Sequence, residues 1–422
     1  MKKRFCPSRR NFLTSMAGLG TAVLLRPWAA WAADEVDPRV AALVAKTVGV
    51  DAHNHVDVPL VTADVPGPDL DLAGELKRSG LSAICATFAV DYQRLGVPGL
   101  AYERFQNALV SMDAQLERNG MTRALSLADL QAAHDAGQPT IIQAVEGGHF
   151  IEGKLERIEA AYVRGLRLLD LFHDHDAEPP LGDLYTEPAH LGGLTELGAN
   201  VIKECNRLGI VVDLNHASAD TVATALKVST QPVLFSHTGL DTRLGRDERM
   251  GQMMKSRLLS KEHAKAIADA GGVVGVWTHL VDSPTEYVQA IHDMAGAVGI
   301  DHVCIGTDTK LTPGSNPWGG KQGGGSEGPP PDRPPNEAND KGPGGPGGPA
   351  GPGGEPRGPG GPGGGPRRGG DRTSQIWPGQ QVGFYYAVVG EMVKQGFTDE
   401  EVAKIGGGNF CRVFGAATMG RS

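Results

Sequence analysis

Gly209-Ile210-Val211-Val212-Asp213-Leu214-Asn215-His216 and, further along, Pro232-Val233-Leu234-Phe235-Ser236-His237 are two short apolar runs, each ending at an imidazole. A run of this length, rich in Val, Ile and Leu, reads as a strand buried on both faces. The chain has eight such runs: Val48–Ala52, Leu81–Phe88, Thr140–Val145, Gly165–Leu171, Gly209–Leu214, Gln231–Ser236, Gly271–Val276 and His302–Gly306. Six are followed within two residues by a metal-type ligand: His53 with His55, Glu146, His173, His216, His237 and Asp308. Trp277 follows the seventh run, and no obvious ligand follows the second.

Between the runs lie segments whose apolar residues recur every three or four positions. They are Tyr102–Arg118, Ser126–Asp135, Leu155–Arg164, Thr195–Arg207, Ala219–Leu226, Lys261–Ala270 and Pro284–Val298, with Gln380–Lys394 and Asp399–Lys404 near the end. These read as helices, and Ser126, Ser218 and Ser260 as N-caps. Repeated strand–helix units predict a parallel sheet covered by helices. Eight strands with ligands gathered at one end favour a closed (β/α)8, TIM-like barrel, whose chemistry sits at the C-terminal ends of its strands.

Composition sets the surroundings. Residues 1–32 hold six basic groups and no acid, an apolar stretch at Phe12–Leu25, and a small-residue cleavage pattern at Ala30-Trp31-Ala32. Ser8-Arg9-Arg10-Asn11-Phe12-Leu13 within it resembles a twin-arginine export signal, so the expectation is a periplasmic or secreted protein delivered by that machinery. Removing six positive charges from a formal −9 leaves −15. So acidic a protein is not expected to bind nucleic acid. Residues 313–370 hold 23 of the 60 glycines and 15 of the 29 prolines, too little apolar surface to fold, so this insertion after the eighth strand is expected to be disordered. Cys85, Cys205, Cys304 and Cys411 lack Cys-x-x-Cys spacing and read as buried thiols, with a disulfide the alternative in an oxidising compartment.

His53 and His55, two apart on one strand, share a face and can hold one cation. Glu146, followed by Gly147-Gly148, can bridge two metals. His216 and His237 are each ligand or structural histidine. Four histidines with one glutamate suit zinc, with manganese, iron or cobalt as alternatives. Asp308, after the eighth strand, can orient a water and carry its proton. His173 can polarise a carbonyl or oxyanion, whereas His175 is expected to face solvent. Arg243, Arg246, Arg249 and Arg257 are candidates to clamp a carboxylate.

These residues resemble the renal (membrane) dipeptidase family of zinc peptidases in the amidohydrolase superfamily. Asp51-Ala52-His53-Asn54, Glu146-Gly147-Gly148, Asn206-Arg207-Leu208-Gly209 leading to Asp213-Leu214-Asn215-His216, Pro232–His237, Ile305-Gly306-Thr307-Asp308 and Gly407-Gly408-Asn409-Phe410-Cys411-Arg412-Val413 are similar to its motifs, in order. The resemblance implies a metal-dependent barrel over residues 33–422, interrupted by 313–370. It implies two divalent ions, zinc by preference. Glu146 would bridge them, His53 and His55 would hold one, and His216 and His237 the other. Asp308 would move the proton and His173 would contact substrate. Arg257, with Arg243 as fallback, would bind a dipeptide's carboxylate. The family is commonly dimeric. This chain departs in having His55 where aspartate is usual, and Asp308-Thr309-Lys310-Leu311 where Asp-Phe-Asp-Gly often stands. The expected function is hydrolysis of a dipeptide. The rivals are an amidohydrolase acting on another small amide, lactone or ester, and a non-catalytic metal-loaded binding protein.

Overall fold

The eight apolar runs are eight strands: β1 (Val50–His55), β2 (Ala83–Thr87), β3 (Thr140–Glu146), β4 (Leu166–Asp170), β5 (Val211–Asp213), β6 (Leu234–Thr238), β7 (Val273–Val276) and β8 (Val303–Ile305). A short ninth, β9 (Thr309–Lys310), follows at once. The computed structural model describes residues 36–92, 95–186, 188–312 and 372–419. The expected signal peptide at 1–32 and the expected disordered insertion at 313–370 lie outside the described residues.

Every pairing is parallel and the strand order is β8-β7-β6-β5-β4-β3-β2-β1-β9. Because β9 continues the chain of β8, its bonds to β1 join the two ends of the sheet. The Asp308 and Leu311 amides donate to the carbonyls of His53 and His55 at 3.1 and 3.0 Å. The result is the expected α/β barrel, closed by one strand split between two neighbours.

Alternation along the strands makes two cores. One inward row holds Val50, Ala52, Ala83, Cys85, Ile142, Ala144, Leu168, Val211, Leu234, Val273 and Cys304, packed on Phe410, Val413 and Phe414 of the final helix, Asn409–Thr418. That helix was not among the expected ones; it plugs the barrel floor. The outward row, including Ile84, Ile141, Leu169, Val212, Val274 and Ile305, packs on the surrounding helices. Ser126, Ser218 and Ser260 cap their helices by accepting from Asp129, Thr221 and His263 amides.

Several boundaries differ from expectation: β1 runs on to include His53 and His55, and two others have a side chain as their cause. The sixth strand starts at Leu234, because Asn206 Oδ1 accepts from the Thr230 amide at 2.7 Å and holds residues 229–231 in a turn. His237 therefore lies inside β6. The helix expected from Gln380 starts at Phe384, since the Gln380 amide bridges the preceding turn, accepting from Ile376 N and donating to Ser374 O and Val382 O. Cys85, Cys205 and Cys304 are buried free thiols, and Cys411 is a partly buried one.

One step above the apolar row, the inward positions turn polar or lose their side chains: Asp170, Asp213 and Ser236, then Gly275 and Gly306. A Cβ on Gly275 or Gly306 would collide with the Ser236 carbonyl, so the strands close there only around glycine. Asp213 Oδ1 accepts the Ser236 and Asn215 amides at 3.0 and 3.1 Å, tying β5 to β6. Asp51 accepts the Thr307 amide and hydroxyl at 2.8 and 2.6 Å, tying β1 to the residues after β8. Burial pushes the carboxyls of Asp213 and Asp51 up to about 7 and about 6.

A carboxyl raised from about 4 contributes stability at pH below its unfolded value and loses it as pH rises through its folded value. Asp213→Asn in the metal-free protein is therefore expected to raise the melting temperature by several degrees at pH 8. The gain should shrink toward zero near pH 4. A pH-independent difference in thermal melts would contradict this reading of Asp213.

Candidate metal centre

Strand geometry brings the predicted ligands to one point. A register shift in β1 between Asp51 and Asn54 sends both His53 and His55 into the barrel mouth, their Nε2 atoms 3.3 Å apart. Glu146 ends β3. His216 and His237, from the ends of β5 and β6, bring their Nε2 atoms to 3.2 Å. Glu146 lies between the pairs: Oε1 is 2.9 Å from His216 Nε2, 3.7 Å from His237 Nε2 and 3.6 Å from His53 Nε2, and Oε2 is 3.8 Å from His55 Nε2. All five side chains are buried.

Three of the four other ring nitrogens have hydrogen-bond partners. Ser236 Oγ lies 2.9 Å from His237 Nδ1 and 3.3 Å from His53 Nδ1, and the Tyr92 hydroxyl lies 3.2 Å from His55 Nδ1. His216 Nδ1 lies 3.5 Å from Asp174 Oδ1. Such contacts fix tautomer and ring angle, leaving each Nε2 to converge on its partner. Burial pushes His53 down to about 4, and burial with the neighbouring His53 holds His237 well below the ordinary range. Both are therefore neutral, with lone pairs directed inward. Each faces a second ring, His55 at 3.3 Å or His216 at 3.2 Å, whose basicity Asp308 in one case and Asp174 with Glu146 in the other raise against burial, so each pair encloses a place that a proton or a cation can fill, and Glu146 Oε2 is buried with no hydrogen-bond partner. The donors are of the N and O types that bind divalent transition metals. The residues fit two cations, with Glu146 able to reach both.

Two residues here adopt left-handed backbone, His216 at φ 62° and Asp308 at φ 56°. This conformation costs about 1–3 kcal/mol in a non-glycine residue, and both lie where a strand end must aim a side chain into the mouth. Asp308 Oδ1 is 3.1 Å from His55 Nε2 and 3.8 Å from His53 Nε2, while Oδ2 is 2.7 Å from His279 Nε2. Burial would raise this carboxyl, but the surrounding imidazoles, with hydrogen bonds to His279 and His55, outweigh burial and hold it well below the usual range.

His173, past β4, puts Nε2 3.3 Å from Glu146 Oε2 and Nδ1 2.6 Å from Asp91 Oδ1. Burial opposes its charge, yet Glu146 and Asp91 raise it to about 9. His175 is largely exposed, as expected. Arg257 Nη2 meets both oxygens of Asp174 at 2.8 and 2.9 Å, and Tyr185 donates to Asp174 at 2.6 Å. Arg243 is instead paired with Asp293 at 2.8 Å, Arg246 with Glu286, and Arg249 is exposed. Of the four arginines, only Arg257 is linked to the centre, through Asp174.

Several contributors were missed in the sequence. Asp91 and His279 both stand three residues beyond a strand-like run, one past the spacing used to find ligands. Ser236, Tyr92 and Asp174 carry no pattern of their own; only the fold shows which histidine each one meets.

Known proteins agree with this architecture. A 99-residue stretch is 37% identical to human "Dipeptidase 3", covering 22% of this chain and 20% of that protein; the chain thus matches about a fifth of the relative's length. An amidohydrolase from Pseudomonas aeruginosa superimposes with a TM-score of 0.64 at 20% identity, covering 90% of this chain and 98% of the other. A probable dipeptidase from the same organism gives 0.64 at 18% identity over 92% and 100%. A metallopeptidase from Rhodobacter sphaeroides, liganded with a phosphinate mimic of L-Ala-D-Ala, gives 0.56 at 17% identity over 88% and 99%. The sequence model of the membrane dipeptidase family matches residues 38–315, which span β1 to β9 and every residue of the centre, and the chain belongs to that family, peptidase family M19.

Proposed function

We propose that this protein is a metal-dependent dipeptidase. The observation that carries the reading is Glu146 set between two imidazole pairs, with Asp308 and His173 on either side. His53, His55 and Glu146 would hold one divalent cation, and Glu146, His216 and His237 the second, zinc by preference. When bound, such a pair supplies an activated water and positive charge to polarise the scissile carbonyl. Asp308 Oδ1, facing the centre, takes the proton of the attacking water and returns it to the leaving amine. His173, kept charged by Glu146 and Asp91, donates to the oxygen of the tetrahedral intermediate. Arg257 pairs with the terminal carboxylate of the dipeptide. The Rhodobacter sphaeroides relative, bound to its L-Ala-D-Ala mimic, supports a dipeptide substrate and makes L,D pairs worth including beside L,L pairs.

A second reading draws on the Asp174–Arg257 contact. An arginine already neutralised by an internal carboxylate also suits a small amide or ester that lacks a free carboxylate. Export through the twin-arginine route, to the periplasm or medium, is part of the proposal and rests on Arg9-Arg10 and the apolar stretch after them.

Metal-loaded residues 33–422 are expected to release amino acids from L,L or L,D dipeptides. Chelation should abolish turnover, and Asp308→Asn should lower kcat about a hundredfold to ten-thousandfold with bound metal unchanged. Bound metal without cleavage of any dipeptide would move the substrate elsewhere. Arg257→Ala should raise KM for free-acid dipeptides roughly tenfold to a hundredfold and leave C-terminal amides unaffected; equal effects on both would favour the second reading. Replacing Arg9 and Arg10 by lysine should leave the precursor in the cytoplasm, scored by fractionation. Normal export of that variant would exclude the twin-arginine route.

A further inference from the structure

Asn215 sits between Leu214 and the ligand His216, and nothing in the reading above gives it a role. Its side chain is buried, 5% exposed. Its Nδ2 lies 2.7 Å from His237 Nε2, and its Oδ1 is buried with no hydrogen-bond partner. Its backbone is pinned by the Asp213 carboxylate, so the amide is held at the centre by a strand end and not by a free loop.

The spacing is that of a ligand. Donor atoms about 2.0–2.2 Å from one cation lie roughly 3 Å from each other. His216 Nε2, His237 Nε2 and Glu146 Oε1 are separated by 2.9, 3.2 and 3.7 Å, and the Asn215 amide joins them at 2.7 Å from His237. Without a cation, the neutral His237 ring accepts a hydrogen bond from the Asn215 NH2 group. With one, the His237 lone pair is taken, and the same NH2 group would point its hydrogens at positive charge. The two ends of an amide have nearly the same shape. A half-turn about the last side-chain bond removes that repulsion and brings the orphaned oxygen to the cation.

We propose that Asn215 Oδ1 is a ligand of the cation held by His216, His237 and Glu146. The proposal rests on the metal-centre reading, not on the identity of the substrate. It gives this site a neutral oxygen as its fourth protein donor, and with His55 on the other side Glu146 remains the only anionic group shared by the two sites.

The test is a Co2+ titration of metal-free residues 33–422, following affinity and the visible absorption of the bound ion, for the parent, Asn215→Ala and Asn215→Asp. The parent is expected to bind two ions. Asn215→Ala should weaken one of them about tenfold or more and change its absorption band, because a donor atom is lost. Asn215→Asp, which keeps an oxygen in place, should hold the parental affinity, and its thermal melt shows that the site still folds. Parental affinity and spectrum in Asn215→Ala would overturn the proposal. So would weaker binding with an unchanged band, which assigns Asn215 to outer hydrogen bonding. A parent that binds no Co2+ would overturn the metal centre itself, whereas two bound ions with no dipeptide cleavage would overturn only the substrate.

Discussion

Glu146 is a carboxylate at the end of a buried strand, 2% exposed, and its negative charge cannot be left uncompensated there. Burial raises its pKa, but the surrounding imidazoles, led by His173 and joined by the hydrogen bond with His216, outweigh burial and hold it well below the ordinary range. The constraint propagates outward. Histidines must arrive from β1, β5, β6 and the end of β4, and each must present Nε2 rather than Nδ1. Ser236 alone steadies two of them, standing beside Nδ1 of both His53 and His237. The left-handed backbone of His216 is a further cost of the same convergence.

The barrel supports this centre from below with groups that never reach the mouth. Asp51 and Asp213 each bind backbone amides of a neighbouring strand end, Thr307 in one case and Ser236 in the other. Asp51 thereby sets where Asp308 begins, and Asp213 sets the spacing between His216 and His237. Asp170 pairs with Asp213 across β4 and β5. Burial and then Asp213 push its carboxyl well above the ordinary range. Beneath this layer the interior is apolar down to Phe410 and Phe414. The proposed chemistry thus rests on a polar layer one residue thick over a packed floor.

The fold was legible because parallel strands buried on both faces leave apolar runs, and capped helices leave serines at their starts. All eight runs became strands. Ligand positions were legible for the same reason: a side chain at or just past the C-terminal end of a buried strand has only the mouth to enter. What escaped detection depends on contacts between distant segments. Asp91 is 82 residues from His173, and Asp174 is 83 from Arg257. His279 meets Asp308 only once the barrel closes. Ser236 reads as an ordinary strand residue until two rings are seen against its hydroxyl. The turn at residues 229–231 escaped because its cause, Asn206, lies on another helix.

The placement of Asp308 ties the split last strand to the proposed chemistry. If β8 ran on unbroken, its residues would alternate in and out with no control over which oxygen of a carboxylate faced the centre. The break at residues 306–308 lets Thr307 bind Asp51 while Asp308 turns into left-handed backbone. Its two oxygens are then unlike. Oδ2 is fixed by His279 at 2.7 Å, whereas Oδ1 faces His55 and His53. A carboxylate anchored through one oxygen cannot turn away when the other takes a proton, so the proton is held toward the centre, where a leaving group would need it. Closing the barrel and orienting the proposed base are therefore one structural event, carried by the few residues that join β8 to β1.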